Sequence, residues 1–328
     1  MCELMEKDVL LEEVAAAIAF IAVRTKNNPQ TETFSDELKS CGSIREALLS
    51  KSPKDIKAAT VREELSALKE AVKDNPVYTD TSISCHTDLP DNTDEIDPSK
   101  EILDNIFAYI TNFGRIKPCC RTTPQGFVLG GQPGARKAYL TEYIKKQLPD
   151  TISINGDEYR CWHPYFSVIQ KKYGKDSSKI TARFAGKVTQ ELINRCLLNR
   201  YNIIIEGTFR TANTPLKTLN DLKEHNYKTF VYIKTCPGEV SWSRCLSRYE
   251  IGLNEKEGKE RFTDRSHHDL VVKTLPENAD TVFKSGLTDR MVVFGVTGEI
   301  IFDSQNSSQR NLPSGAIIRE LNTTNCRS

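Results

Sequence analysis

The run Gly131-Gln132-Pro133-Gly134-Ala135-Arg136-Lys137-Ala138 has the spacing of a phosphate-binding loop, G-x-x-x-x-G-K-[ST], with the last glycine and the hydroxyl residue replaced. In the intact motif the loop N–H groups and the helix N-terminus cradle phosphate, the lysine supplies a point charge, and the hydroxyl ligates Mg²⁺. Here Lys137 is in place, Arg136 stands at the glycine position and Ala138 at the Ser/Thr position. A glycine lets backbone approach phosphate closely; an arginine hinders that approach while bringing a charge of its own. Ala138 has no oxygen to offer Mg²⁺, so both changes are expected to weaken the handling of a nucleotide with its metal. The same run also reads as an ordinary Gly-Pro turn between a strand and a helix.

Such a loop needs a strand before it and a helix after it. Phe127 to Leu129 is a short apolar run beside glycine, as an interior strand would be, and a helix from the loop runs to Gln147. Thr151 to Ile154 reads as the next strand and delivers Asn155-Gly156-Asp157-Glu158-Tyr159-Arg160 at its carboxyl end. A helix carrying Val188, Leu192, Ile193 and Leu197 follows. Tyr201 to Ile205 has no polar alternation, so it is expected to be central and parallel; it ends in Glu206-Gly207-Thr208. Thr229 to Ile233 is a further strand, followed by a helix over 238–249. Met291 to Gly295 and Ile300 to Phe302 close as a hairpin. This alternation over residues 99–304 predicts an α/β fold, a mostly parallel sheet with helices on both faces. Ligands of such sheets gather at the carboxyl ends of strands, where the loop, Asp157 and Glu206 all fall.

Residues 1–75 read as a small helical domain ahead of that fold. Val9-Leu10-Leu11, Val14, Ile18, Phe20-Ile21 and Val23 form a broad apolar face, ended by Asn27-Asn28-Pro29. Ser43 to Leu49 is a short second helix. Ser52-Pro53 opens a third, with Val61, Leu65, Leu68 and Val72 in one stripe. No catalytic constellation lies here, and the segment reads as an interaction module. Residues 76–98 hold Asp80, Asp88, Asp91, Asp94, Glu95 and Asp97 and no Lys or Arg, the composition of a solvated linker. His86 is read as a solvated histidine of that linker rather than a metal ligand. Pro98-Ser99-Lys100-Glu101 caps a helix to about Phe113, and residues 305–328 are left as a tail.

The 328 residues carry 45 Lys and Arg against 44 Asp and Glu, a formal charge of +1, which gives no general affinity for nucleic acid. Ten cysteines without a C-x-x-C spacing argue against zinc and for a reducing compartment. The apolar stretch from Val14 to Val23 follows acidic residues and is too short to span a bilayer. The expectation is a cytoplasmic chain with no membrane partner.

Gly130-Gly131-Gln132-Pro133-Gly134, then Asn155 to Arg160 with His163-Pro164, then Ile205-Glu206-Gly207-Thr208, resemble the zeta toxins. So do Arg248-Tyr249-Glu250, Arg261 and the stretch from His268 to Pro276, and the resemblance covers residues 99–304. It implies a P-loop kinase-like fold that uses ATP and Mg²⁺ to phosphorylate the 3′-hydroxyl of the amino sugar in UDP-N-acetylglucosamine. On the same resemblance the product would starve peptidoglycan synthesis, and an antitoxin would restrain the enzyme. On this resemblance Lys137 and the loop from Gly131 to Ala138 hold ATP, and Asp157 is the catalytic base that accepts the hydroxyl proton. Arg248 and Arg261 stabilise the transferred phosphate, while Glu191, Glu206 and Thr208 contact the sugar nucleotide.

Each assignment has a plainer alternative. Asp157 is also a turn-former, Glu206 a helix N-cap carboxylate and Glu191 a solvated helix residue. Arg248 and Arg261 also suit surface ion pairs with Glu250 or Asp264. Trp162 and Tyr165 suit either a uracil ring or a core. Two classes of function therefore stand: a zeta-type sugar-nucleotide kinase, and a kinase-fold binding or regulatory protein without turnover. A kinase for another nucleotide-type substrate is a third. Residues 1–75 are expected to serve either as an antitoxin-like cover acting in cis near Lys137, with a separate antitoxin in trans as the other route, or as an unrelated partner-binding or dimerisation module.

Overall fold

The computed structural model describes residues 36–50, 56–71, 89–111, 115–119, 122–254, 262–306 and 311–323, with Lys7, Leu10, Leu11, Glu13, Val14, Ala15, Ala17, Ile18 and Ile21. Strands β1 (Gln125–Gly130), β2 (Thr151–Ile154), β3 (Asn202–Glu206), β4 (Lys228–Lys234), β5 (Arg290–Phe294) and β6 (Ile300–Asp303) form one sheet in the order β2-β3-β1-β4-β5-β6. The first five strands of that order pair in parallel, and β6 closes the edge antiparallel to β5. β1 from Gly126 to Gly130 and β3 from Ile203 to Ile205 have no polar side chain because both faces of the sheet are covered.

Alternate residues of the strands point to one face. There Phe127, Leu129, Ile204, Tyr232, Val292 and Phe294 pack with Leu140 and Ile144 of the helix Ala138–Gln147. Burying each such side chain contributes about 1.5–3 kcal/mol. On the other face Gly126 leaves room for Leu222 of the helix Asn213–Glu224; a Cβ at 126 would collide with it. The expected α/β architecture, with helices on both faces of a mostly parallel sheet, is the one observed.

The chain divides into two compact units. One comprises Pro118–Ile154, Asn194–Tyr249 and Phe262–Ser328 and contains the whole sheet. The other comprises Met1–Lys117, Asn155–Ile193 and Glu250–Arg261, so the N-terminal helices share a unit with the segment that follows β2. Within this second unit α1 (Asp36–Ser50), α2 (Ala58–Ala71) and α3 (Lys100–Ile110) pack together, α1 touching both of the others. Leu10, Val14, Ile18 and Ile21 are helical and fully buried.

Several elements differ from what the sequence suggests. The second helix begins at Asp36, not Ser43, and runs through Gly42. A glycine inside a helix costs about 1 kcal/mol and reads as an end; the burial of Leu38, Cys41, Leu48 and Leu49 outweighs it. The third helix starts at Ala58, and Ser52, Pro53 and Val72 lie outside the described residues. Ser99 does cap its helix, accepting from Ile102 N at 3.2 Å, but the helix stops at Ile110, and Phe113 lies outside the described residues.

Of the expected acidic linker, residues 76–88 with His86 lie outside the described residues, and the rest is not merely solvated. Thr93 is buried, and its carbonyl meets His163 Nε2 at 3.2 Å. Tyr165 N donates to His163 Nδ1, which leaves Nε2 to donate, and burial holds this imidazole below its usual range. Asp97 pairs with Lys187 at 2.5 Å and Arg183 at 3.5 Å. These contacts are too distant in sequence for composition to reveal. The expected tail contains a helix, Pro313–Leu321, packed on the helix Arg265–Lys284. Proline at its first turn was a legible start signal.

Candidate active site

β1 ends at Gly130, and the phosphate loop follows with two glycine-type conformations, Gly131 at φ 141° and Gly134 at φ 78°. A Cβ on Gly131 would collide with the Lys234 carbonyl, and one on Gly134 with the Ser241 carbonyl. The loop is thus wedged between the chain leaving β4 and the helix Gly238–Asn254. Gln132 ties it down from inside: its buried Nε2 donates to Cys236 O at 2.7 Å, and Thr235 Oγ1 donates to its Oε1 at 3.3 Å. Ala135 is fully buried, and Pro133 is half-buried in the turn.

Arg136 has φ 67°, so the glycine position of the motif keeps a glycine's conformation while carrying an arginine. For an L-residue this left-handed geometry costs about 1–2 kcal/mol. Arg136→Gly is therefore expected to raise stability by up to about 1 kcal/mol, the gain being reduced by glycine's greater freedom in the unfolded chain. Urea denaturation of both proteins checks this; a less stable variant would show that side-chain contacts of Arg136 outweigh its backbone strain. Lys137 Nζ donates to Gly131 O at 3.2 Å, folding the charge over the loop. The helix begins at Ala138 with no side-chain cap.

Glu206 ends β3 in register with Leu129 of β1, so its carboxylate sits at the strand ends beside the loop. Thr141 Oγ1, one turn along the loop helix from Ala138, donates to Glu206 Oε1 at 3.4 Å. The N-cap alternative for Glu206 fails, because the next helix begins at Asn213 behind Ala212. Among the described residues no cluster of His, Cys, Asp and Glu forms a ready metal cage. The Glu206 carboxylate nonetheless suits Mg²⁺, which keeps water and nucleotide phosphate for most of its shell, while the fully buried Thr141 fixes that carboxylate rather than meeting the ion. Half-buried Thr208 follows Glu206, and the turn after it is fixed by Asn278 Nδ2, which donates to Phe209 O and Arg210 O, both at 2.9 Å.

Arg248 makes no ion pair with Glu250 or Asp264; its Nη2 donates to Thr263 Oγ1 at 3.2 Å. Arg261 lies outside the described residues. One turn before Arg248 stands Arg244, which sequence reasoning missed. Its guanidinium is buried, with Nη1 3.4 Å from Gly134 O and 3.5 Å from Cys236 Sγ. The spacing of four from Arg248 was the available signal, since it puts both on one helix face. Behind the loop, burial pulls the Lys234 ammonium down to about 8, and its Nζ donates to Gly295 O. Ser241 Oγ lies 2.8 Å from His268 Nε2, and His268 Nδ1 lies 2.9 Å from Asp269 Oδ1. That hydroxyl is fully buried, so the chain anchors the helix rather than meeting a substrate.

Asp157 belongs to the other unit. The turn-forming role there falls to Asn155, whose Oδ1 accepts from Asp157 N at 3.1 Å. Asp157 itself is oriented by Arg160, whose Nε donates to Oδ1 at 2.9 Å; Arg160 is anchored in turn on Ser178 O and Thr181 Oγ1. The carboxylate remains a quarter exposed. A Cβ on Gly156 would stand 2.9 Å from Thr189 Oγ1.

The next residue, Glu158, turns inward and accepts from Arg45 Nε at 3.1 Å and Nη2 at 2.9 Å. Arg45 is 1 % exposed and Glu158 4 %, and the guanidinium stands 5.2 Å from the centre of the Tyr109 ring. Burial opposes the charge on Arg45, but Glu158 acting together with Tyr109, Glu46 and Tyr159 holds the group well above its usual range. Trp162 is buried with its Nε1 unpartnered, which makes it a core residue and not a platform for a base. Tyr165 and Glu191 are half-buried.

The zeta toxin family model matches residues 110–308. Toxin zeta of Streptococcus agalactiae is 32 % identical over 201 residues, 61 % of this chain and 70 % of that one. Toxin PezT of Streptococcus pneumoniae is 32 % identical over 186 residues, 56 % of this chain and 74 % of that one. A solved structure from the PezAT chromosomal toxin–antitoxin system of Streptococcus pneumoniae aligns with a TM-score of 0.58 at 25 % identity, covering 72 % of this chain and 88 % of that one. Among the described residues no helix is long and apolar enough to cross a membrane.

Proposed function

This chain belongs to the zeta toxin family, and on that footing we propose that it transfers the γ-phosphate of ATP to the 3′-hydroxyl of the amino sugar of UDP-N-acetylglucosamine. The observation that carries the reading is the phosphate loop, which keeps its three left-handed backbone positions and its lysine. Loop N–H groups and Lys137 bind the phosphates. Asp157, held by Arg160, accepts the proton of the attacking hydroxyl. Arg248 and Arg261 carry charge that builds on the transferred group. Glu206, Thr208 and Glu191 contact the sugar nucleotide. Mg²⁺, when bound with ATP, shields phosphate charge, and Glu206, seated by the buried Thr141, would hold it.

A second reading is favoured by Ala138, which leaves the motif's metal-ligand position without an oxygen: the chain binds nucleotide and sugar nucleotide but turns over slowly or not at all. An antitoxin is the expected partner in trans, as in the PezAT system. The cis alternative has one footing in the fold, since α1 grips Glu158, the neighbour of Asp157. ATP consumption with a panel of UDP-sugars, and mass detection of a phosphorylated product, tests the proposal. The expected product is the phosphorylated amino-sugar nucleotide. Sugar-nucleotide binding without product would establish the second reading instead.

A further inference from the structure

We propose that Arg244 is a phosphate-binding residue of the nucleotide site, and that its charge replaces part of the neutralisation lost with the metal-ligating hydroxyl at position 138. This rests on the kinase reading.

Ser241, Arg244, Cys245 and Arg248 recur at helical spacing and share one face of the helix Gly238–Asn254. That face lies on the loop. The Ser241 carbonyl would strike any Cβ at Gly134, and Cys245 Sγ would be 3.1 Å from it. Arg244 is 8 % exposed, yet no described carboxylate pairs with it and its Nε has no hydrogen-bond partner. Its recorded contacts are long: a carbonyl at 3.4 Å and a thiol sulfur at 3.5 Å, the latter a weak acceptor. Burying a charged donor without a matched acceptor is costly. A purely structural arginine would be expected to have a carboxylate or well-aligned carbonyls around its fork.

Arg244 instead holds spare donors beside Gly134, the residue whose backbone shapes the phosphate cradle. A guanidinium fork suits phosphate oxygens, and an oxyanion on the loop would satisfy it. Ala138 removes an oxygen ligand from the metal, so a fixed cation in the same cradle does the work that a better-anchored Mg²⁺ would share.

The test is calorimetric titration of the full chain with ATP, once with Mg²⁺ and once with EDTA, for wild type, Arg244→Gln and Arg244→Lys. Melting of each protein with and without ATP accompanies it. Wild type is expected to keep substantial ATP affinity in EDTA. Arg244→Gln is expected to weaken ATP by about 10- to 100-fold under both conditions. Its nucleotide-free melting temperature should not fall, because the group removed was poorly satisfied, while the rise on adding ATP should largely vanish. Arg244→Lys, which keeps charge but not the fork, should fall between the two. Unchanged ATP affinity in Arg244→Gln overturns the proposal. If that variant does not fold, Arg244→Lys decides by the same criterion. Wild-type binding that disappears entirely in EDTA overturns the replacement of metal by arginine. A wild type that binds no ATP under either condition removes the kinase reading itself, and the proposal with it.

Discussion

Arg45→Met is expected to destabilise the chain by about 3–5 kcal/mol, because it strands the buried Glu158 carboxylate without its partner. Both side chains are almost wholly withdrawn from water, and two nitrogens of one guanidinium converge on the same carboxylate oxygen. Glu158 then has either to drag water inward or to take up a proton, and both cost stability. The double variant Arg45→Met with Glu158→Leu should recover most of the loss, since a shape-matched apolar pair in such a place is often neutral or better. Urea denaturation of the wild type, both single variants and the double variant gives the coupling directly. Additive losses would mean that the two groups are hydrated independently. The singles should also disturb Asp157, one residue from Glu158, and lower turnover more than sugar-nucleotide binding.

Asp157→Asn is expected to lower the rate of phosphoryl transfer by about 10²- to 10⁴-fold. The substitution isolates charge from geometry. An asparagine carbonyl can still accept from Arg160 Nε, so the side chain keeps its seat, while its capacity to take a proton from the sugar hydroxyl is gone. Sugar-nucleotide affinity should therefore stay near that of the wild type. Single-turnover transfer and a separate titration with UDP-N-acetylglucosamine measure the two quantities. Wild-type turnover in the variant would remove Asp157 from the role of base.

The sheet was legible because its strands are short, apolar on both faces and set off by glycine, as β1 and β3 illustrate. The loop was legible because its spacing is local. What escaped was long-range or disguised. Arg45 and Glu158 stand 113 residues apart and each reads alone as a surface charge. Arg244 lies on an amphipathic helix among other polar residues, and only the fold shows that it faces inward. Gly42 mimics a helix end because local propensity is the only signal in sequence, whereas burial across the whole of α1 decides the outcome. At Arg136 the sequence showed a lost glycine but not that the backbone would keep the conformation a glycine prefers.

The positions of the phosphate loop answer to different constraints. At Gly131 and Gly134 a side chain would strike main-chain carbonyls of the same molecule, whether or not nucleotide is ever bound. Positions 136 and 138 already carry side chains that the fold accommodates, and the motif asks for glycine and a hydroxyl there for the sake of the ligand. A lineage released from the need to turn over nucleotide would drift first at 136 and 138 and last at 131 and 134. Retention of the first two glycines thus reports that the loop can fold, and information about its chemistry is concentrated in the three residues from Arg136 to Ala138. A motif scan that weights every position alike would count fold-keeping residues as signs of activity.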